Sequence, residues 1–317
     1  MGTQHTRTSQ DPGGAGRGAR SEEPAGATAR ERLLAGLPVS ERRVPLGGGA
    51  TAVLEGGEGP PLVLLHGPSS HALAWMRVIP ALVTRHRVIA PDLPGHGASE
   101  VLGGPAEAGV LRWVDDLIEH TCPGPPILVG HILGGAIAAR YAAERGRRLG
   151  GLVLVDTLGL TAFQPTPEFG RALAAFLADP TAETHEGLWR RCASDFSALR
   201  RGLGERWISL AAYDLDRART PALAAAQHAM MAALGVPAIA PATLARIAVP
   251  TALIWGRHDP ATALSVARDA SARFGWPLHV IEEAGADAAL EQPAAFVDAL
   301  RAALGAGTPP GARGDRG

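Results

Sequence analysis

Residues 127–135 read ILVGHILGG, and this stretch decides the fold. It begins as a short apolar run without polar alternation, which is typical of a strand buried on both faces of a sheet. Glycines at positions 130, 134 and 135 then allow a tight turn, and the Ala-rich segment that follows has the composition of a helix. A buried strand that turns directly into a helix predicts a parallel sheet covered by helices.

The rest of the chain repeats this alternation of apolar runs and helical patterns, and therefore indicates an α/β protein with a doubly wound, mostly parallel sheet. No convincing strand occurs from about 157 to 248, where only helical patterns are found. An insertion of that length between late strands predicts a helical cap over a site. The predicted strands lie at 51–55, 61–67, 86–92, 126–131, 151–156, 251–256 and 278–285.

These patterns predict the domain organisation. The core is expected at 33–157 and 241–304, and the helical cap at 158–240. Residues 1–32 and 305–317 are rich in Gly, Ser, Thr, Arg and Pro and poor in apolar runs, so both are predicted to be disordered tails.

Composition restricts the classes of partner. The net charge is −1 and no stretch forms an arginine or lysine stripe, so neither nucleic acid nor an anionic membrane is an expected partner. No apolar run approaches the ~18 residues of a membrane helix, and the first residues lack the apolar core of a signal peptide, which favours a cytoplasmic protein. Cys122 and Cys192 stand alone and suggest neither a disulfide framework nor a metal site, and no cofactor is expected. The oligomeric state is not indicated.

Five segments, in this order, resemble the α/β-hydrolase superfamily. They are LLHGPSSHALAW, VIAPDLPGHGAS, ILVGHILGG, LIWGRHDPATAL and IEEAGADAALEQPAAF. The resemblance runs from about residue 43 to residue 304 and implies an α/β-hydrolase sheet with a site at the carboxyl ends of the strands.

The resemblance also implies that the chain departs from the family's catalytic machinery. In the family a serine attacks, a histidine takes its proton and an acid orients the histidine. Here Ile132 occupies the serine position and Ala286 the histidine position, whereas Asp259 matches the acid. Of the two backbone donors for the oxyanion, the first falls on Leu133 and the second on Pro68, which has no N–H. Serine-type ester hydrolysis is therefore predicted to be excluded.

The turn at the serine position usually requires a positive φ, which a β-branched residue tolerates poorly. Either Ile132 bears this strain or the turn has relaxed. We expect a pocket formed by Ile132, Leu133, Ala286, Pro68 and Ser69.

Two residues are the candidate catalytic groups. Asp259, without a histidine partner, is expected to have a raised pKa and to act as a general acid or base. His71 lies in the first loop near Ser69 and Ser70 and could face the substrate. Asp287 is interpreted as a helix-start residue.

Three functions remain open. The favoured one is a non-hydrolytic enzyme of bacterial specialised metabolism that acts on an apolar, polyketide-type or aromatic substrate. It would work by orientation, desolvation and acid/base chemistry, in an oxygenation without cofactor, a lyase reaction, a cyclisation or C–C bond formation. The alternatives are a catalytically inactive binding or scaffold protein, and a hydrolase with a displaced nucleophile such as Ser69, Ser70 or Asp259.

Overall fold

The computed structural model of the chain describes residues 1–2, 25–103 and 106–306. Its centre is an eight-stranded sheet with the order β1-β2-β4-β3-β5-β6-β7-β8. The pairings of β1 with β2 and of β2 with β4 are antiparallel, and the remaining pairings are parallel. The strands are β1 (Ser40–Leu46), β2 (Gly49–Gly56), β3 (Pro61–Leu65), β4 (Arg87–Pro91), β5 (Ile127–His131), β6 (Gly151–Val155), β7 (Thr251–Gly256) and β8 (Leu278–Ile281).

Thirteen α-helices occur in the described part of the chain, and most of them cover the sheet or stand above its carboxyl edge. They are α1 (Ala25–Leu34), α2 (Ile79–Leu82), α3 (Glu107–Thr121), α4 (Leu133–Arg145), α5 (Pro167–Ala178), α6 (Ala182–Cys192), α7 (Phe196–Leu203), α8 (Arg206–Ala218), α9 (Pro221–Met230), α10 (Pro241–Leu244), α11 (Leu264–Phe274), α12 (Ala288–Glu291) and α13 (Pro293–Ala306). A 3₁₀ turn follows β3 at Ala72–Trp75, and a π turn extends α9 at Met231–Gly235.

Two apolar clusters cover the two faces of the sheet, as expected for a doubly wound fold. One cluster includes Trp113 of α3 and Ile137 of α4. The other includes Leu33 of α1, Leu210 of α8 and Phe296 of α13. The predicted fold class is confirmed, including the helices inserted between the late strands β6 and β7. No helix within the described ranges is long and apolar enough to cross a bilayer.

The sequence prediction places the boundary between the N-terminal tail and the folded core too late in the chain. Helix α1 occupies positions that the composition places in a disordered tail, and it packs against α8. Its Leu33 is fully buried, and the Arg30 guanidinium lies 2.9 Å from the buried carboxylate of Asp92. The helix is therefore held by buried apolar contacts and by the polar partners of Arg30, which include Glu41 and Tyr213 as well as Asp92. The C-terminal helix ends at Ala306, so it also overlaps the predicted tail by two residues. The predicted tails at 3–24 and 307–317 lie outside the described residues.

Strand β1 is absent from the sequence prediction. Its first four residues are exposed and polar, because it is an edge strand paired only through β2. The residues from 157 to 248, all of them described, contain no strand, while the division of the chain into a core and a cap domain remains a prediction.

Candidate functional site

The turn between β5 and α4 keeps the strained conformation. Ile132 has φ 46° and ψ −101°, so the alternative of a relaxed turn is wrong. Three glycines explain why it cannot relax. A Cβ at Gly130 would collide with the carbonyl oxygen of Gly134, and one at Gly134 would collide with strand β3. A Cβ at Gly135 would collide with Thr157.

Positive φ angles outside glycine are confined to this region. In the described residues they occur at Ser69, Ile132 and Asp156, which follow β3, β5 and β6 respectively. Each such conformation costs about 1–3 kcal/mol, and residues of this kind cluster at functional sites. The fold therefore holds a strained edge at the carboxyl ends of three neighbouring parallel strands.

A cavity of about 390 Å³ lies above this edge and beneath the inserted helices, and we call it the cap cavity. Core turns contribute Pro68, Ser69, Ile132 and Ala286 to its wall. Helices α5, α6, α8 and α9 supply most of the remaining wall, which is largely apolar and includes Phe176. A volume of this size suits a small organic molecule.

Three of the predicted site residues lie behind the wall of the cap cavity. Leu133 is fully buried in the core, because it begins α4 beneath the turn. Its backbone N–H is nevertheless among the first of the helix, which have no partner within the helix. His71 and Asp259 are also buried and do not line the cavity.

The position of Asp259 differs from the prediction because its own turn uses the carboxylate. One oxygen accepts from the backbone N–H of Ala261 at 2.7 Å, and the other accepts from the Thr262 hydroxyl. Burial raises the pKa of Asp259 to about 6. Asp156, whose Oδ1 accepts from Gly256 N at 2.8 Å, has a pKa raised by burial and by the neighbouring Asp259. Neither Asp156 nor Asp259 is among the residues that line the cap cavity.

At the position that the resemblance predicts for the family's histidine, Ala286 offers only backbone groups. Its N–H donates to Cys192 O at 2.9 Å, and its carbonyl accepts from His131 Nε2 at 2.7 Å. Burial lowers the pKa of His131, so this imidazole is neutral at pH 7 and ties the β5 turn to the turn after β8.

A carboxylate bridges two imidazoles, one from the loop after β3 and one from the inserted helices. Asp214 of α8 accepts from His71 Nε2 at 3.1 Å and from His185 Nε2 of α6 at 2.9 Å. Burial alone would raise the pKa of Asp214, but the hydrogen bonds from the two histidines outweigh it and lower that pKa. His185 and Asp214 both line the cap cavity. Sequence reasoning missed them, because they belong to helices without a motif.

Asp287 combines two roles. Its Oδ1 accepts from Leu290 N at 3.2 Å, so it caps α12, as its interpretation as a helix-start residue expects. It also lines the cap cavity next to Ala286. Burial, assisted by the Asp214 carboxylate, raises the pKa of Asp287 to about 7, against the opposing effects of the hydrogen bond from Leu290 N and of His71. A carboxyl group that titrates near neutral pH therefore lies on the wall of the cavity.

Metal coordination is not supported by these side chains. Across residues 25–103 and 106–306, no group of three or more histidine, cysteine, aspartate or glutamate residues could hold a metal ion.

Comparisons with known proteins agree with this geometry. A family profile described as "Alpha/beta hydrolase family" matches residues 62–299. The magnesium-chelatase 30 kDa subunit of Rhodobacter capsulatus is 32% identical over 244 residues, which are 73% of this chain and 84% of that protein. The pimeloyl-acyl-carrier-protein methyl ester esterase of Chromobacterium violaceum is 33% identical over 217 residues, or 67% of this chain and 81% of the esterase.

A solved structure is similar over most of its length. The 2-hydroxy-6-oxo-6-phenylhexa-2,4-dienoate hydrolase of Rhodococcus sp. strain RHA1 superposes with a TM-score of 0.74 at 26% identity, covering 84% of this chain and 98% of that one. Relatives of this chain are thus named as an esterase and a hydrolase. This finding overturns the non-hydrolytic function expected from the sequence, and that prediction is wrong.

Proposed function

The chain belongs to the alpha/beta hydrolase family, and from this premise we propose that it hydrolyses a small, largely apolar organic substrate with water, not residue 132, as the nucleophile. The observation that carries the proposal is the position of Asp287. Its carboxyl group lines the cap cavity beside Ala286, in the same cavity that Ile132 lines. The chain thus offers a different titratable group next to the position of the family's histidine.

The family's usual route is closed in this chain by two side chains. Ile132 is a hydrocarbon and cannot attack a carbonyl carbon, and Ala286 cannot take a proton. Ser69 and Ser70 line the cavity, but the imidazole of the adjacent loop residue His71 is buried and does not line it. A serine without a base is a weak nucleophile at neutral pH.

Asp287 has the properties of a general base for water. One of its oxygens is held by Leu290 N, which fixes the carboxyl group on the cavity wall. A pKa of about 7 leaves a large ionised fraction at neutral pH and makes the carboxylate more basic than an exposed one. General-base catalysis of this kind contributes typically ~10²–10⁴-fold in rate.

The reaction follows from these positions. Asp287 takes a proton from water while the water oxygen bonds to the carbonyl carbon of the substrate. The electron pair of the C=O bond moves onto the carbonyl oxygen, which the Leu133 N–H stabilises. When the intermediate collapses, the bond to the leaving group breaks and that group takes the proton back from Asp287. Because Pro68 supplies no second donor, the rate is expected to be ~10²–10³-fold below that of an enzyme with both.

The experiment is hydrolysis of a panel of substrates by the purified protein. The panel contains methyl and aryl esters of apolar acids, together with 2-hydroxy-6-oxo-6-phenylhexa-2,4-dienoate. Turnover is expected on at least one neutral ester, and Asp287→Asn should reduce it to background, while asparagine still caps α12. Asp298→Asn, an exposed carboxylate on α13, is the matched control and should leave turnover unchanged.

A serine-directed fluorophosphonate separates this route from the alternatives. This reagent is expected neither to label the protein nor to lower its rate of ester hydrolysis. Labelling at Ser69 or Ser70, with activity abolished by the corresponding alanine variant, would show that the nucleophile is a displaced serine and not water. Ligand binding without turnover of any substrate in the panel would refute hydrolysis.

A further inference from the structure

The wall of the cap cavity carries negative but no permanent positive charge. No lysine occurs in the chain, and among the residues that the structure describes no arginine lines the cavity. Asp214 and Asp287 both line it. The other polar groups on the wall are neutral hydroxyl, amide and thiol groups and the imidazoles of His131, His185 and His228.

Neighbouring arginines are committed to other partners. The Arg77 guanidinium donates to the backbone carbonyl of Leu290. Arg217 pairs with the adjacent Asp216, and Arg140 pairs with Glu107. None of these three arginines lines the cavity.

We infer that the cap cavity selects neutral or cationic ligands and rejects carboxylates. The inference rests on the proposed function only in that the same cavity would take the substrate. An anion that enters loses its hydration, finds no counterion and meets two carboxyl groups in a medium of low dielectric constant. A neutral ligand of the same shape avoids these costs, and a cation gains attraction from Asp214 and Asp287.

This selection separates the chain from relatives that are named for a carboxylate substrate. The hydrolase of Rhodococcus sp. strain RHA1 is named for a dienoate, which carries a negative charge at neutral pH. The cavity described here has no guanidinium or ammonium group on its wall to receive such a charge. A neutral ester of an apolar acid is the substrate class that fits it.

The inference is tested by binding alone, so that it does not depend on turnover. Nile red, a neutral dye, is bound to the purified protein at pH 8 and displaced by decanol, decylamine or decanoate, each below its micelle concentration. These ligands share a ten-carbon chain and differ in charge. We expect decanoate to bind at least ~10-fold more weakly than decanol, and decylamine to bind at least as tightly as decanol.

Variants locate the effect in the cavity. Asp287→Asn should narrow the gap between decanol and decanoate several-fold, whereas Asp298→Asn on the surface should leave it unchanged. Decanoate that binds as tightly as decanol would overturn the inference, and so would a failure of all three ligands to displace the dye. Charge selection without hydrolysis would refute only the proposed function, and hydrolysis without charge selection would refute only this inference.

Discussion

Replacing Ile132 by glycine should leave the protein more stable than replacing it by alanine. Both substitutions remove the same side-chain atoms beyond Cβ, so both open nearly the same space in the cavity wall. They differ in backbone freedom, because glycine adopts the observed φ of 46° without steric cost and alanine does not. The comparison therefore isolates the strain that the fold imposes on this residue.

The size of the effect follows from two opposing contributions. Relief of the strained backbone contributes about 1–3 kcal/mol, and the extra conformational entropy of unfolded glycine costs about 0.5–1 kcal/mol. The glycine variant should therefore exceed the alanine variant by roughly 0.5–2 kcal/mol in the free energy of unfolding. In thermal unfolding each kcal/mol corresponds to a shift in Tm of about 2–4 °C.

The assay is urea unfolding of the two variants, followed by circular dichroism and repeated as a thermal scan. Ala136→Gly is the control, since Ala136 lies inside α4 and glycine should destabilise the helix there by about 1 kcal/mol. An alanine variant that is as stable as the glycine variant, or more stable, would refute the reasoning. It would mean that the turn relaxes once the isoleucine is removed, and that the three neighbouring glycines do not fix its geometry.

Two further predictions concern charges. Arg30→Ala should reduce the free energy of unfolding in urea by about 3–5 kcal/mol, because it leaves the fully buried carboxylate of Asp92 without its ion-pair partner. The exposed Arg32→Ala on the same helix should change it by less than about 0.5 kcal/mol, and similar losses for both variants would contradict the argument. Asp287 has a pKa of about 7 in the folded chain against an ordinary value of 3.8, so it contributes stability that is full below about pH 4 and lost as the pH rises through 7. Asp287→Asn should reduce that fall in the free energy of unfolding, leaving the part due to Asp156, Asp259 and Glu291, whose pKa values burial also raises. An unchanged pH profile would show that Asp287 ionises freely in the folded protein.

The sheet could be predicted from the sequence because its central strands are buried on both faces and appear as uninterrupted apolar runs. This criterion missed strand β1, since five of its seven residues are exposed. Helix α1 could not be predicted because its composition resembles that of the preceding tail. The ion pair that holds this helix joins Arg30 to Asp92, which lies far along the chain.

The candidate site was predictable only where motifs mark it. The resemblance identified Ile132 and Ala286, and both line the cap cavity. It did not indicate that Asp259 is engaged by its own turn, because a hydrogen bond to Ala261 N depends on local geometry. Asp214 and His185 could not be found at all, since the packing of two cap helices brings them together.

The pH dependence of kcat/KM for the best neutral ester tests the central claim, water activation by Asp287, most directly. The base must be ionised, so log kcat/KM should rise with unit slope at acid pH and level off above about 7, following the pKa of Asp287. Asp287→Asn should remove this rise together with the activity. Activity that persists in Asp287→Asn with the same pH profile would contradict the account.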